Sequence, residues 1–345
     1  MKLSSQKLIA ALNTLKQVAT GNHNVIQCDV ECGLATLRAS NSFESMELTF
    51  EAKGEDSLSA NISINQILGT LWNSDETVEL KLDGSFLIFK PRADSTCRIP
   101  VMPENIMQPM LSSDGMVKQG VDCLGLSVAM ATVSFCASND KERPILNSVH
   151  VTASEKLLSV ESTNGRDGAF LDYPLICAGF EILVPKECQK NLSDFLAEDG
   201  AVFSSNARMV SVECGSGKYT CKQIDGKFPS TKFIKDMVKK PVGDISADDF
   251  LVRLKTAHVM NPATQTEMPV LASFTNDSLD LDTDSYTGKI AGAFKEFQLK
   301  INGMAIQKCL GAFKGQTVKI STDDDRNKII MQSGNLTVVS MGLLK

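Results

Sequence analysis

Residues 181–196, EILVPKECQKNLSDFL, change from a short apolar strand pattern directly into an amphipathic helix pattern. The same change occurs at residues 60–72, ANISINQILGTLW, and at residues 297–313, FQLKINGMAIQKCLGAF. The equivalent apolar positions Ile64, Val184 and Ile301 repeat at a period of roughly 120 residues, which is too long for a solenoid and suits a repeated domain. The pattern therefore predicts three copies of one unit.

Two further features recur at the same period. An amphipathic helix is predicted at the start of each copy, from Leu8, Leu12, Leu15 and Val18, from residues 124–137, and from residues 247–260, where Ser246 is the N-cap and Phe250, Leu254 and Ala257 share a face. A hairpin of alternating strands follows each helix, with predicted turn positions at Asn41, Asn164 and Asp284. Asn164-Gly165 is itself a strong turn signal.

Each copy thus contains a helix, a hairpin, a strand, a second helix and a further pair of strands. Two helices packed on an antiparallel sheet define an α+β domain, and we expect the sheets to continue from one copy into the next. Pro- and Gly-punctuated stretches near residues 118–122 and 238–245 separate the copies. We therefore predict three domains, residues 1–119, 120–242 and 243–345.

Composition restricts the class of protein. Of the 345 residues, 43% are hydrophobic and 22% charged, which is typical of a soluble globular protein. No apolar run approaches the roughly 18–20 residues that span a bilayer, and the N-terminus has a helix pattern, not that of a signal peptide. The ten cysteines are scattered in mostly apolar segments, as at Cys136, Cys177 and Cys309. Buried free thiols in a reducing cytoplasm explain them better than metal sites or disulfides.

The sequence offers no catalytic motif. It has no P-loop, no dinucleotide-binding glycine pattern, no HExxH and no nucleophile elbow. The three histidines, His23, His150 and His258, have no serine or cysteine partner at motif spacing. The acidic run at residues 323–325 is predicted to be a solvated hairpin tip and not a metal site. We therefore predict no catalytic residue, no metal and no cofactor.

Four segments of the second copy resemble the β subunit, or sliding clamp, of bacterial DNA polymerase III. Residues 135–147, FCASNDKERPILN, are similar to the family's helix end and RPILNG motif, and residues 161–166, ESTNGR, to its ATDGHR motif. Residues 181–186, EILVPK, resemble EVIVPRK, and residues 224–229, IDGKFP, resemble IDGKFPDY. The four lie in the family's order and at its spacing, inside a match that covers the whole chain.

The chain also departs from the family. Residues 24–27 are NVIQ in place of LPIL, and the chain ends VVSMGLLK where the family usually ends VMPMRL. Such drift indicates a divergent member, such as one encoded by a phage or another mobile element.

The resemblance implies half of a closed ring: a head-to-tail homodimer of six clamp domains, with helices lining a hole for double-stranded DNA. Because the net charge is −6, DNA contact must be local, weak or geometric and not a broad basic face. The cations predicted to contact DNA are Lys7, Lys16, Lys186, Lys190, Arg253, Lys255 and Lys308 on the helices, with Lys141 and Arg143 in a loop. The alternative for each is an ordinary solvated helix face.

The resemblance also implies a groove that binds short linear motifs of the DNA polymerase and the clamp loader. The corresponding residues are Leu146, Thr163, Gly165, Arg166, Pro229, Phe233 and Ile234, together with Val338, Val339 and Met341 of the C-terminal segment. Leu146, Ile234 and Val338 could equally be core residues, and Thr163 and Gly165 turn residues.

The predicted function is a cytoplasmic DNA sliding clamp, a non-catalytic processivity factor for a replicative polymerase. The main alternative is a structural or scaffold ring protein of a phage that uses the clamp fold without tethering DNA. An enzyme on a repeated α+β scaffold comes third.

Overall fold

The computed structural model describes residues 1–20, 24–54, 56–174, 179–237, 239–261 and 267–343. His23 and Cys177 lie outside the described residues. The helices are α1 (Ser5–Leu15), α2 (Ile64–Leu71), α3 (Cys123–Val133), α4 (Lys186–Leu196), α5 (Lys232–Lys235), α6 (Ala247–Met260) and α7 (Gly303–Gly311).

The strands of the first half are β1 (Lys2–Ser4), β2 (Val25–Glu31), β3 (Leu34–Ser40), β4 (Glu44–Lys53), β5 (Leu58–Ser63), β6 (Thr77–Asp83), β7 (Phe86–Arg92), β8 (Ser95–Pro100), β9 (Val117–Lys118), β10 (Ser148–Ala153), β11 (Leu157–Thr163) and β12 (Asp167–Pro174). Those of the second half are β13 (Phe180–Pro185), β14 (Val202–Ser205), β15 (Met209–Cys214), β16 (Gly217–Lys222), β17 (Lys240–Ser246), β18 (Pro269–Phe274), β19 (Ser278–Asp282), β20 (Thr287–Ala291), β21 (Phe297–Asn302), β22 (Thr317–Thr322), β23 (Lys328–Ser333) and β24 (Leu336–Met341). All the pairings between these strands are antiparallel, so the predicted α+β class is confirmed.

The chain divides into two compact units. The first contains Met1–Ser127 and Lys190–Gln223, and the second contains Val128–Gln189 and Ile224–Lys345. The strands of the predicted middle domain are therefore divided between the two units, with β14 to β16 in the first and β10 to β13 in the second. The division into three domains stays a prediction.

The first unit is built on one twelve-stranded sheet. Its main path runs β8-β7-β6-β1-β4-β16-β15-β14-β9, and β2 pairs with β3 and β5 beside it. Ser4 is the N-cap of helix α1, and its hydroxyl accepts a hydrogen bond from the Lys7 amide at 3.4 Å. Leu8, Leu12 and Leu15 are buried as their helical spacing predicts, while Val18 is buried beyond the end of the helix.

The second unit has two sheets, with orders β13-β10-β11-β12-β24-β23-β22-β17 and β20-β19-β18-β21. Helix α6 starts at the predicted N-cap, because the Ser246 hydroxyl accepts a hydrogen bond from the Asp249 amide at 3.2 Å. Phe250, Leu254 and Ala257 are fully buried along one face, as predicted. This apolar face stabilises a helix whose exposed side mixes charged residues with the apolar side chains Val252, Val259 and Met260.

The three predicted hairpins close with loops of equal length. The last paired residues are Ser40 with Ser45, Thr163 with Gly168, and Asp282 with Thr287. In the first two loops the first loop residue is an asparagine, Asn41 or Asn164. Its carboxamide oxygen accepts the amide hydrogens of the residues two and three positions later.

The predicted turn position Asp284 is one residue out of register. Thr283 occupies the place of the two asparagines, and its hydroxyl accepts the amide hydrogen of Ser285 at 3.4 Å. A threonine hydroxyl can form the same local bond more weakly, which is why the acidic residue beside it was a misleading signal.

Both large sheets continue from one predicted copy into the next, as expected. In the first unit, β4 of the first copy pairs with β16 of the second, placing Leu48 opposite Gly217. In the second unit, β12 of the second copy pairs with β24 of the third, placing Leu171 opposite Leu336. In each case the second strand of a hairpin pairs with the last strand of the following copy.

Two local predictions need correction. The helix predicted at residues 124–137 is α3 followed by a short 3₁₀ turn, Ser134–Cys136. The acidic run at 323–325 is only partly solvated, because Asp323 is buried and accepts hydrogen bonds from the Asn327 amide and the Lys328 ammonium group. A lysine five residues further on makes burial of that carboxylate tolerable.

Candidate functional site

An apolar cluster lies where β12, β24 and β23 meet in the second unit. Phe170, Val339 and Ile330 form its buried part, and the half-buried side chains of Ile234 and Met237 pack against it. Residues two apart on a strand share a face, so Phe170 lies on the side of β12 that Gly168 also faces. A Cβ at Gly168 would lie 2.7 Å from Cζ of Phe170. The glycine therefore leaves the space that the phenylalanine ring occupies.

The hairpin between β11 and β12 lies beside this cluster. The Thr163 hydroxyl donates to the Asp167 carbonyl at 2.7 Å and accepts the Gly165 amide hydrogen at 3.0 Å. Gly165 has a φ of +91°, a backbone region that favours glycine. A Cβ on Gly165 would lie 3.0 Å from Nη1 of Arg143 and 3.9 Å from Cδ1 of Leu146. The hairpin tip and residues 143–146 are therefore neighbours.

Residues 224–237 form a wall of the site, because Ile234 and Met237 of this segment pack against the apolar cluster. Phe228 is buried and Pro229 is exposed, and α5 follows with Phe233 exposed over 69% of its surface. The Ile224 amide donates to the Leu183 carbonyl at 3.0 Å, which joins the start of this segment to β13. An exposed phenylalanine next to half-buried Ile234 gives the wall an apolar edge.

The C-terminal strand completes the site. Val338 and Val339 are buried in β24, whereas Met341 is 43% exposed. The Met341 amide donates to the Arg166 carbonyl at 3.1 Å, so the end of the chain lies along the hairpin tip. Arg166 and Met341 also line a cavity of about 430 Å³.

The structure thus brings the predicted groove residues into one region of the second unit, at three levels of exposure. Gly165, Arg166, Pro229, Phe233 and Met341 are exposed, Thr163 and Ile234 are half-buried, and Leu146, Val338 and Val339 are buried. Contact of these residues with a partner peptide stays a prediction. The buried residues form the packing beneath the surface that a partner would reach.

Sequence reasoning missed three members of the cluster, Phe170, Ile330 and Met237. The segment KIIMQS has a continuous apolar run at residues 329–331, which predicts a strand buried on both faces but does not indicate which face Ile330 is on. Phe170 follows a glycine by two positions, a spacing that places its ring over the vacant side of that glycine.

The predicted DNA-contacting cations of the first unit are Lys7, Lys16 and Lys190, and all three are exposed. Lys7 lies 3.8 Å from Glu51 of β4. Lys190 pairs with Asp194 one helical turn away at 2.7 Å. Exposed pairs of this kind are weak and do not prevent contact with a phosphate.

In the second unit, Lys186 and Lys308 line one cavity of about 390 Å³. The Lys186 ammonium group donates to the Ala137 carbonyl at 2.7 Å and to Oδ1 of Asn139 at 2.9 Å. Burial and the nearby charge of Lys308 both lower the pKa of Lys186. Arg166 lines the same cavity, as do the carboxylates of Asp167 and Glu267, so the lining has a small local excess of positive charge on an acidic protein.

The remaining cations, Lys141, Arg143, Arg253 and Lys255, are exposed. Arg143 donates from Nε to Asp140 at 2.8 Å, and this bond lowers the pKa of that carboxyl group. Within the described ranges no three His, Cys, Asp or Glu side chains cluster in a way that could hold a metal ion, and the nine described cysteines form no disulfide. None of the described helices combines the length and the apolar character that crossing a membrane requires.

No family model matches the sequence, and no curated protein matches it. Solved structures do match over the full length. A sliding clamp (DNA polymerase III subunit beta) from Pseudomonas aeruginosa bound to griselimycin has a TM-score of 0.90 at 12% identity, covering 100% of this chain and 99% of that one. The beta subunit from Thermotoga maritima has a TM-score of 0.86 at 15% identity, with coverage of 100% and 99%. The Helicobacter pylori beta clamp bound to DNA ligase peptide has a TM-score of 0.86 at 14% identity, again with coverage of 100% and 99%.

The chain therefore has the DNA-clamp fold. Its resemblance to the β subunit of bacterial DNA polymerase III, inferred above from four segments, is confirmed in the structure over the whole chain, and the low identity fits a divergent member.

Proposed function

We propose that the chain is a non-catalytic DNA sliding clamp. Two copies close into a ring around duplex DNA in the cytoplasm and tether a replicative DNA polymerase. The polymerase and the clamp loader each bind the ring through a short linear motif. The observation that carries the proposal is the rule of strand pairing between successive copies. Among the described strands, the rule leaves one sheet edge of the first copy and one complementary sheet edge of the third copy without a partner.

The rule is that the second hairpin strand of one copy pairs with the last strand of the next. It is satisfied within the chain by β4 with β16 and by β12 with β24. In the first copy the strand equivalent to β16 and β24 is β8, the third strand of the run β6-β7-β8, and it ends the twelve-stranded sheet; the short strand β9 pairs with β14 instead. The second hairpin strand of the third copy, β20, ends the four-stranded sheet. Unpaired sheet edges tend to recruit another strand. We propose that β20 of one copy pairs with β8 of another, head to tail.

The register within the chain can be carried over to this contact. The fourth loop residue of each hairpin, Glu44 or Asp167, lies opposite the fifth residue of its partner strand, Cys221 or Ser340. The same offset places Tyr286 opposite Ile99 of the other copy. Thr287 then faces Arg98, and both are exposed in the single chain. Head-to-tail contacts close into a ring when the rotation between subunits permits.

Confinement by a ring suits the charge of this protein. Strong phosphate contacts would hold DNA but would also resist sliding, and each neutralised phosphate adds salt sensitivity. A net charge of −6 with local cations such as Lys186 and Lys308 is consistent with loose guidance of DNA. A closed ring holds DNA without tight binding, because release requires an interface to open.

The apolar region of the second unit supports the tethering role. Its exposed Phe233 and Met341, beside half-buried Ile234, form an apolar surface edged by the Arg166 side chain. Grooves of this kind accept a few apolar anchors of a short peptide, and methionine adapts to different partners. A fluorescein-labelled copy of the DNA ligase peptide bound by the Helicobacter pylori clamp is the probe for this surface, and griselimycin, bound by the Pseudomonas aeruginosa clamp, is a second ligand to test.

Retention on DNA tests the proposal as a whole. Dilute protein is mixed with nicked circular plasmid and concentrated so that rings assemble around it. The mixture is passed through a gel-filtration column at about 1 M salt, where the Debye length of about 3 Å screens electrostatic attraction to DNA. We expect protein to elute with circular DNA and not with the same plasmid cut once beforehand. Absence from both would contradict the proposal and favour the rival, a phage structural ring with the clamp fold.

A further inference from the structure

A buried carboxylate lies beneath the wall formed by residues 224–237. Glu161 is on β11, between β10 and β12, and is only 6% exposed. Burial of a charge is costly unless it is paired and hydrogen-bonded. One oxygen, Oε1, lies 2.8 Å from Nδ1 of His150. The other, Oε2, accepts the Thr231 hydroxyl at 2.7 Å and lies 3.6 Å from the Lys235 ammonium group.

The His150 side chain is also held in place by several contacts. His150 is buried, and its Nε2 lies 2.9 Å from Oε1 of Glu181, so each ring nitrogen faces a carboxylate. A protonated imidazole donates to both. The Phe228 ring stacks on His150 with centroids 4.7 Å apart and planes at 23°. The segment therefore covers the histidine as well as contacting the glutamate.

Lys235 makes further polar contacts on the same sheet. Its ammonium group donates to the Ser159 hydroxyl at 2.6 Å and to the Asp172 carboxylate at 3.1 Å. The Ser159 hydroxyl in turn donates to Asp172 at 2.6 Å. The charged groups that face Glu161 are thus His150 and Lys235, with Glu181 and Asp172 behind them.

Along this segment, residues that contact the sheet alternate with residues that are exposed on the surface of the groove. Phe228, Thr231 and Lys235 face the network, while Pro229 and Phe233 are exposed between them. The Thr231 carbonyl accepts the amide hydrogens that begin α5, from Ile234 at 2.9 Å and from Lys235 at 3.1 Å. A helix of four residues has no stability of its own, so its position depends on what anchors it.

We propose that Glu161 is a positioning residue for partner recognition. Its carboxylate, oriented by His150, anchors Thr231 and Lys235 and so preorganises the wall that carries Pro229, Phe233 and Ile234. This inference rests on the proposed groove. A wall that is ordered only part of the time binds its partner more weakly, in proportion to the fraction that is competent.

The test compares variants by two measurements on the full chain: affinity for the labelled DNA ligase peptide, and hydrogen exchange of the amides of residues 231–237. Glu161→Leu removes the anchor, and we expect peptide affinity to fall about 10-fold or more. Exchange should accelerate in this segment and not in α6 or α7. Thr231→Val, which removes one donor and leaves the glutamate paired with His150, should weaken binding by a smaller factor and serves if Glu161→Leu does not fold.

Two controls separate positioning from general destabilisation. Glu181→Gln changes an exposed carboxylate that reaches His150 from the other side, and should leave affinity within about twofold. Leu279→Ala removes a buried side chain from the separate four-stranded sheet, and should lower stability without faster exchange at 231–237.

The outcomes distinguish the two proposals. Unchanged affinity or unchanged segment exchange in both Glu161→Leu and Thr231→Val overturns the positioning role. Failure of the unmodified chain to bind either the peptide or griselimycin counts against the groove itself. In that case accelerated exchange confined to 231–237 still supports anchoring by Glu161.

Discussion

Gly168 offers a sharp test of how the apolar cluster is packed. In Gly168→Ala the new methyl group would lie 2.7 Å from Cζ and 2.9 Å from Cε2 of Phe170, inside van der Waals contact. The ring is only 3% exposed, so it cannot swing into solvent without losing its packing on Val339 and Ile330. Overpacking of this kind costs about 1–3 kcal/mol. For a unit of this size that lowers the melting temperature by roughly 2–4 °C per kcal/mol.

A double-mutant cycle isolates the cause. Phe170→Ala alone should cost about 3–5 kcal/mol through lost burial and the cavity that remains. In the Phe170→Ala background the added methyl group at Gly168 meets no ring, so we expect Gly168→Ala to cost less than about 0.5 kcal/mol there. Thermal unfolding followed by circular dichroism measures all four proteins. An equal cost in both backgrounds would refute the packing argument.

Gly311→Ala is the matched control for this cycle. Gly311 is the last residue of α7 and does not need a positive φ, and a methyl group added there would have open space around it. The substitution should be neutral or slightly stabilising, since it reduces the freedom of the unfolded chain. A large loss of stability there would show that glycine replacement is harmful in this unit for reasons unrelated to Phe170.

Three further predictions concern the caps, the charges and the DNA contact. Ser246→Ala should lower the free energy of unfolding by about 1 kcal/mol, measured by urea titration, because it removes the N-cap of α6. Burial raises the pKa of Glu161, but hydrogen bonds from His150 and Thr231 outweigh it, so the pKa lies below the usual 4.5. The stability that this carboxylate provides is present above pH 4.5 and is lost as pH falls through its pKa in the folded protein. In Glu161→Gln the free energy of unfolding should therefore depend less steeply on pH below 4.5. Unfolding measured at a series of acid pH values tests this. Lys308→Gln should weaken low-salt DNA binding and reduce the slope of log affinity against log salt by about 1, while leaving retention on circular DNA unchanged.

The threefold repeat could be predicted from sequence because its signals are local. Helix α6 illustrates this: a serine cap and three apolar residues at helical spacing determine where it starts and which face is buried. The hairpin at Asn164-Gly165 likewise depends on turn chemistry within four residues. Asp284 was misplaced because threonine and aspartate can both form such turns, and only the strand register identifies Thr283.

The pairing of distant strands could not be predicted from the same signals. Nothing in the local pattern of β12 specifies β24 as its neighbour, although Asp167 and Ser340 lie opposite each other and share a hydrogen bond at 2.6 Å. The network at Glu161 was missed for a similar reason. Thr231 lies 70 residues from Glu161 in the sequence, and although His150 lies opposite Glu161 on the neighbouring strand, single histidines and threonines carry no motif.

Ring closure depends on the proposed pairing of β20 with β8 between two copies, and an engineered disulfide tests this pairing most directly. Directly opposite residues of antiparallel strands have Cα atoms about 4.5–5.5 Å apart, within the range of a disulfide. The variant Thr287→Cys/Arg98→Cys is oxidised gently, with each single variant and the pair Thr287→Cys/Lys81→Cys as controls, and the products are separated under denaturing conditions without reductant. We predict one covalent species of two 37.4 kDa chains for the first pair alone. Monomer only, or a ladder of higher multiples from an open head-to-tail filament, would contradict ring closure at these edges.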